Sequence, residues 1–148
     1  MDLNFTVKRF DEISAEEMYK ILGLRAEVFV VEQNCVYQDI DDKDQEALHV
    51  IGIKENTIVA YTRIFSPGDY YEEASFGRVV IPKSHRQFGY GHNLIKESIN
   101  AIESFFNTKE IKISAQTYLK KFYETHGFKQ VGEEYLEDGI PHMAMKRT

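Results

Sequence analysis

The stretch FGRVVIPKSHRQFGYGHNLIKESINAI, residues 76–102, decides the fold of this chain. Phe76 and the run 79–81 have the aromatic and β-branched composition of a buried strand, and Pro82 ends that strand because it lacks a backbone donor. From Asn93 onward, apolar residues recur at three- and four-residue spacing, which predicts a helix with one buried face. These residues are Leu94, Ile95, Ile99, Ile102, Phe105 and Phe106. The stretch therefore predicts a strand, a turn and a helix.

The turn itself, Arg86–Gly91, has the features of a phosphate site. Its two glycines let the backbone approach a bound group where the helix begins, and Arg86 adds a fixed cation to the free N–H donors of that helix end. A Walker loop is excluded because histidine follows Gly91, and a Rossmann fingerprint is excluded because Leu94 stands where the third glycine or alanine belongs. The turn thus suits a pyrophosphate, with a turn kept for its geometry alone as the alternative.

Composition narrows the functional classes. The 148 residues predict one domain, 1–148, and the balance of 24 acidic against 18 basic residues, a net charge of −6, argues against nucleic acid as the main ligand. No apolar run approaches the roughly 20 residues that span a bilayer, and polar residues interrupt the N-terminus where a signal peptide would be apolar. We therefore expect a cytoplasmic protein without membrane association.

A lone cysteine and an acidic segment carry weaker signals. Cys35 excludes an internal disulfide and a cysteine-built zinc site, and no sequence signal places a histidine base against it. The segment 32–46 is crowded with carboxylates but fits no EF-hand spacing. It predicts either a solvated loop or a negative rim that attracts a cationic acceptor. The crowded carboxylates are Asp39, Asp41, Asp42, Asp44 and Glu46.

Two further helices are marked by their ends. Ser14 followed by Glu17 is a capping-box pattern, and it predicts a first helix over about 15–30. Near the C-terminus, Thr117 is the predicted N-cap of a short helix that Gly127 stops.

Alternating and apolar runs predict the strands. Both faces of the strand at 47–54 are largely apolar, so it is expected to be covered on both sides, with His49 as a polar exception that is either a base or structural. The succession of elements is β-α-β-β-β-α-β-α-β-β, ending in a hairpin that turns at Asp138-Gly139. The predicted strands are 4–10, 47–54, 58–65, 76–81, 111–115, 130–136 and 142–146.

These features resemble the GNAT family of N-acetyltransferases. The turn 86–91 matches the family's Arg/Gln-x-x-Gly-x-Gly/Ala loop, the succession of elements is similar, and 121–128, KFYETHGF, resembles the family's Phe-Tyr-x-x-x-Gly-Phe segment. The segment 24–33, LRAEVFVVEQ, followed by the Asp41/Asp44 cluster and His49, looks like the ElaA-like branch of the family. The resemblance implies an α/β fold with a six- to seven-stranded mixed sheet flanked by helices.

The same resemblance implies acetyl-CoA or coenzyme A as the cofactor and direct attack of an amine on its thioester in a ternary complex. Tyr123 matches the tyrosine that serves as general acid in the family. The backbone of Val79 and Ile81 would pair with the pantetheine amides in an opening between the fourth and fifth strands. The implied cofactor-binding residues are Val79, Val80, Ile81, Arg86, Gln87, Phe88, Gly89, Tyr90, Gly91, His92 and Gln116.

An amine acceptor also needs a base, because a lysine-like amine is almost fully protonated at neutral pH. Glu27, Glu32, Asp41 and His49 are the candidates, and the sequence does not choose among them. The acceptor is predicted to be a small-molecule or peptidyl amine, and a homodimer is expected at the level of the family. A catalytically idle acyl-CoA-binding module is the alternative function, and a nucleotide-binding α/β domain is a third.

Overall fold

The computed structural model describes residues 3–148 and has the predicted succession of elements. The strands in that part of the chain are β1 (Asn4–Arg9), β2 (Leu48–Lys54), β3 (Thr57–Phe65), β4 (Ser75–Val80), β5 (Ile111–Gln116), β6 (Lys129–Glu137) and β7 (Ile140–Arg147). The α-helices are α1 (Ala15–Arg25), α2 (Tyr90–Phe106) and α3 (Lys120–Glu124), and α1 continues as a π-helical segment, Ala26–Glu32. Short 3-10 helices occupy Phe10–Glu12, Asp44–Glu46, Lys83–Phe88 and Thr117–Leu119. No helix within residues 3–148 is both long and apolar enough to cross a membrane.

The strands form two antiparallel sheets that meet at one point. Their orders are β1-β2-β3-β4 and β5-β7-β6, and within residues 3–148 the two sheets are joined by a parallel bridge between Ala74 and Ile111. The Lys112 N–H donates to the Ala74 carbonyl there, at 2.9 Å. The expected α/β fold is confirmed, and within residues 3–148 this bridge is the parallel contact that makes the sheet mixed. Beyond the bridge, β4 and β5 diverge. The divergence opens a gap between the sheets.

A β-bulge interrupts the pairing of β4 with β3, beside this gap. Tyr61 pairs with Val80 and Arg63 pairs with Gly77, so β4 has one residue more than β3 over the same interval. Arg78, inside the bulge, has φ 52°, a left-handed conformation that is uncommon outside glycine. The backbone at 78–79 is therefore turned away from the regular ladder.

Two apolar clusters cover the first sheet on opposite faces. Leu48 and Val50 of β2 pack into the cluster that includes the buried face of α2, and Ile51 packs into a second cluster with Ile21 of α1. The prediction that β2 is covered on both sides is confirmed. In α2, the predicted stripe is buried from Leu94 to Ile102, whereas Phe105 is half exposed.

Helix ends follow the sequence signals in part. The Ser14 hydroxyl accepts from the Glu17 N–H at 3.1 Å, but the Glu17 carboxylate binds Lys8 instead of closing the capping box. Gly127 has φ 88°, and the N–H groups of Gly127 and Phe128 donate back to the last turn of α3, as in a Schellman motif. The predicted cap at Thr117 is wrong, because Leu119 occupies the N-cap of α3 without a side-chain bond.

Candidate functional site

A cavity of about 660 Å³ occupies the gap between β4 and β5. β4 and the adjoining Ile81 line one side through residues 75–81, and β5 lines the other through 113–116. The end of the first helical segment, the N-terminus of α2, α3 and the β6–β7 hairpin complete the walls. Because no strand within residues 3–148 pairs with β4 along this gap, the backbone donors and acceptors on this side of β4 are available to a ligand.

The N-terminus of α2 meets the cavity at the predicted phosphate turn. Gly89 caps the helix with φ 74°, and the first turn has no acidic residue. Gly91 faces Phe122, whose ring a Cβ on this residue would meet at 3.4 Å. The free N–H groups and the helix dipole give this end a positive potential. The first half of the turn, 86–88, ends a 3-10 helix, Lys83–Phe88, and α2 begins at Tyr90, three residues before the predicted start.

Arg86 lines the cavity but its guanidinium is already paired. Nη1 and Nη2 donate to the two carboxylate oxygens of Glu32 at 2.5 and 2.9 Å, and Nε donates to the Ile81 carbonyl at 2.9 Å. The Arg86 hydrogen bond lowers the pKa of Glu32, so this carboxylate stays charged at neutral pH. An anionic ligand at this turn must therefore compete with Glu32 for Arg86.

The other predicted cofactor residues divide into two groups. The lining residues are Val79, Val80, Ile81, Gly89, Gly91, His92 and Gln116, together with Arg86. Gln87, Phe88 and Tyr90 do not line the cavity. Phe88 and Tyr90 instead hold Lys54 between them, with Nζ 2.8 Å from the Tyr90 hydroxyl and 4.9 Å from the Phe88 ring centre.

Tyr123 lies at the cavity wall with 4% of its surface exposed. Its ring packs against Phe76, Phe122 and Phe128, with centroid distances of 5.1–6.3 Å. The hydroxyl makes no side-chain or backbone hydrogen bond with residues 3–148. Burial raises the pKa of Tyr123, so the phenol stays neutral and keeps its proton to donate.

The candidate bases from the sequence are not free in the cavity. Glu27 is exposed and outside it, and Glu32 is bound to Arg86. His49 is fully buried away from it: Nε2 lies 2.9 Å from the Asp44 carbonyl and Nδ1 lies 2.6 Å from the Tyr61 hydroxyl. Burial lowers the pKa of His49, which keeps it neutral, so its role is structural.

The acidic segment is largely an exposed loop, but three of its aspartates are paired with arginines and form no negative rim. Three of its aspartates alternate with three arginines in a closed ring of ion pairs, in which each residue contacts two of opposite charge. In order, this Arg–Asp ring is Arg25, Asp39, Arg78, Asp41, Arg63 and Asp44. It joins α1, the acidic segment, β3 and the β4 bulge.

Asp41 belongs to this ring and does not line the cavity, so its predicted contact with the acceptor is corrected. Burial by itself would raise the pKa of Asp41, but the hydrogen bonds and charge of Arg63 lower it to about 2. The same opposition, with Arg25 as the main hydrogen-bond partner, leaves the pKa of Asp44 lowered. Asp41 and Asp44 are therefore charged near neutral pH.

Sequence reasoning missed the cavity residues that come from the β6–β7 hairpin. His142 and Glu137 line the cavity, with His142 opposite Gln116 in the β5–β7 ladder. The predicted turn at Asp138-Gly139 was the only available signal, because it places both residues in one hairpin. Which wall that hairpin forms depends on the pairing of β7 with β5, about 30 residues away along the chain.

Comparisons with known proteins agree with this architecture. The sequence profile of the family described as "Acetyltransferase (GNAT) domain" matches residues 10–148. Protein ElaA of Escherichia coli is 40% identical over 138 residues, which are 92% of this chain and 90% of that protein.

Two solved structures are similar over nearly their whole length. An acyl-CoA N-acyltransferase from Pseudomonas aeruginosa superimposes with a TM-score of 0.94 at 36% identity, covering 99% of this chain and 100% of the other. Escherichia coli ElaA gives a TM-score of 0.92, also at 36% identity, with the same coverage. Given the profile match and this degree of identity, the chain belongs to the GNAT acetyltransferase family, alongside the ElaA proteins.

Proposed function

We propose that the protein transfers an acetyl group from acetyl-CoA to a primary amine by direct attack in a ternary complex. The observation that carries the proposal is one cavity that joins an anion-binding helix end, an unpaired strand edge and the free hydroxyl of Tyr123. Acetyl-CoA supplies the thioester that the amine attacks. The acceptor amine and the homodimer stay predictions.

The residues of the cavity fit such a cofactor in three places. Gly89, Gly91 and the first N–H groups of α2 suit the pyrophosphate, with Arg86 beside them. The free edge of β4 at Val79 suits the pantetheine amides, whose groups would continue the sheet toward Ile81, the residue after the strand. The bulge at Arg78 interrupts the ladder beside this edge and leaves backbone groups for the thioester carbonyl.

Tyr123 is the proposed general acid for the leaving thiolate. Its buried neutral phenol can donate to sulfur, while the apolar rings around it exclude water. A phenol with a raised pKa is a weak acid toward a thiolate whose conjugate thiol has a pKa of about 8.5. The thiolate therefore also leaves without this proton, but more slowly.

Replacement of Tyr123 by phenylalanine tests the proposal. Free thiol released from acetyl-CoA is followed across a panel of primary amines, and Tyr123→Phe is expected to lower kcat by about 10²-fold with KM for acetyl-CoA little changed. Wild-type turnover in this variant would remove Tyr123 from the acid role. CoA binding without thiol release with any amine would favour the idle acyl-CoA-binding module instead.

A further inference from the structure

The β6–β7 hairpin brings a histidine and a carboxylate into the cavity. In the register, Gln116 of β5, His142 of β7 and Tyr135 of β6 lie opposite one another, so their side chains share one face of the second sheet. Met143, the next residue along β7, points to the other face and into the core. The His142 side chain is therefore directed to the cavity, where it is 9% exposed.

The hydrogen bonds of His142 fix which nitrogen is the base. Nδ1 lies 2.7 Å from the Ile140 carbonyl oxygen, and a carbonyl only accepts, so Nδ1 carries the proton in the neutral ring. Nε2 is then left with its lone pair. It lies 3.5 Å from Oε2 of Glu137, a carboxylate whose side chain is 47% exposed.

The groups that face His142 place one formal negative charge beside Nε2. The titratable side chains of neighbouring elements that face it are Glu137 and Tyr135 of β6, and the Tyr135 ring stacks at 6.3 Å. The facing residue on β5, Gln116, is neutral. Glu137 is thus the single formal charge beside Nε2 among these neighbours, and it can pair with a cation that binds there.

We propose that His142 Nε2 is the general base for the acceptor amine and that Glu137 is the anion that holds the cationic amine beside it. This inference rests on the proposed acetyl transfer and deepens it. His142 and Glu137 are a cavity-lining pair within 3.5 Å of each other. Of the four bases predicted from the sequence, three lie outside the cavity, and Glu32, which lines it, is bound to Arg86.

The protons balance in two steps. An N–H proton of the ammonium passes to Nε2 and then to solvent, which frees the nitrogen lone pair to bond to the acetyl carbon. As the carbon–sulfur bond breaks, Tyr123 gives its proton to sulfur, and the second nitrogen proton restores the phenol. The net products are the amide, the free thiol and one proton in solution.

Aromatic rings in the same cavity indicate suitable probes. Phe65 and Tyr70 both line it and stack with 5.3 Å between centroids and a 14° interplanar angle. Benzylamine carries a flat apolar ring and is an ammonium ion at pH 7. Phenylhydrazine has the same number of heavy atoms and a terminal NH₂, but it is neutral at pH 7 and needs no base before attack.

The experiment compares both amines in wild-type protein and in His142→Asn, with acetylated product measured by chromatography. Asparagine can still donate an amide N–H to the Ile140 carbonyl but has no atom equivalent to Nε2. We expect kcat/KM for benzylamine to fall about 10²- to 10³-fold, and for phenylhydrazine by less than about 3-fold. Equal losses for both amines, or no loss for benzylamine, would overturn the assignment.

A second measurement separates this inference from the proposed function. If the wild-type protein acetylates neither amine, acetyl transfer to these acceptors fails, and nitrogen-detected NMR of labelled histidine still decides the role of His142. We expect the Nδ1–H tautomer of His142, because Nδ1 faces the Ile140 carbonyl oxygen. The Nε2–H tautomer contradicts the proposal, since it leaves no lone pair on the nitrogen beside Glu137.

Discussion

The Arg–Asp ring and the Arg86–Glu32 pair use the same kind of contact in opposite surroundings. In the ring, every charge has two partners, four of the six residues are buried, and the arginines and aspartates balance. At the mouth of the cavity, beside the N-terminus of α2, Arg86 and Glu32 form one ion pair whose side chains are 39% and 35% exposed. The buried ring can hold structure, whereas the exposed pair can open for a ligand.

The difference teaches how burial sets the cost of separating charges. Removing one partner of a buried ion pair leaves an unpaired charge in a poorly solvated site, but separated surface charges are rehydrated at little cost. The ring also holds the strained bulge, since Nε of Arg78 donates to Asp39 at 2.7 Å. The acidic segment is thus a structural element that holds the β4 wall of the cavity through Asp39 and Arg78.

The largest expected effect comes from breaking the ring at Asp44. Its Oδ1 accepts from Arg25 at 2.8 Å and from Arg63 at 3.0 Å, so Asp44→Asn removes the charge that both arginines share. We expect the free energy of unfolding to fall by about 3–5 kcal/mol in urea denaturation. Glu46→Gln, an exposed change in the same 3-10 helix, should stay within about 0.5 kcal/mol. Similar losses in the two variants would mean that the ring contributes no more than a surface charge does.

At the mouth, the expected effect of Arg86→Ala is on binding rather than on stability. Loss of a charged hydrogen-bond donor to a phosphate costs about 1.5–3 kcal/mol. The dissociation constant for CoA, measured by calorimetry, should therefore rise by at least about 10-fold. Arg86→Lys keeps the charge without the fork, so an intermediate loss is expected. A dissociation constant that Arg86→Ala leaves unchanged contradicts the placement of the pyrophosphate at this turn.

The contribution of the Arg–Asp ring to stability should be lost in a defined range of acidic pH. The pKa of Asp41 is lowered to about 2 in the folded protein. The contribution of Asp41 to the free energy of unfolding is therefore complete above its unfolded pKa of about 3.9 and is lost as the pH falls through about 2. Between these pH values, the free energy of unfolding of Asp41→Asn should fall less steeply with decreasing pH than that of wild type. The two slopes should differ by up to about one bound proton. The measurement is urea unfolding at a series of pH values, with the exposed neighbour change Asp42→Asn as the control. Parallel slopes for wild type and Asp41→Asn over this interval would show that Arg63 does not hold the carboxylate charged.

The smallest effect is expected from Glu32→Gln. The variant removes the anion that competes for Arg86, so CoA should bind about two- to fivefold more tightly, and the gain should shrink at high salt. Glu27→Gln, on the same helical segment but outside the cavity, serves as the control in the same calorimetric titration. Weaker binding in Glu32→Gln would show that this carboxylate supports the site instead of competing with its ligand.

Prediction from the sequence succeeded where the signal is local. The glycine turn after β4, the apolar period of α2 and the Asp138-Gly139 turn each lie within a few residues, and each appears as an element or a junction in the structure. It did not choose among the candidate bases. Asp41 and His49 are both candidates on the sequence, with a structural role as the alternative for His49, yet arginines on β3 and β4 bind Asp41 and the Tyr61 hydroxyl on β3 contacts His49.

The sequence by itself determined the order of elements, the helix end that suits a phosphate and the family, because turn residues and hydrophobic periods act over short distances along the chain. Only the tertiary structure decided which carboxylates are neutralised by arginine and which histidine faces the cavity. Those outcomes depend on strand register and on packing between residues far apart in sequence, such as Arg25 with Asp44 and Gln116 with His142. A charge becomes a structural support or a chemical group according to the partners that the fold brings to it, and a local pattern does not specify those partners.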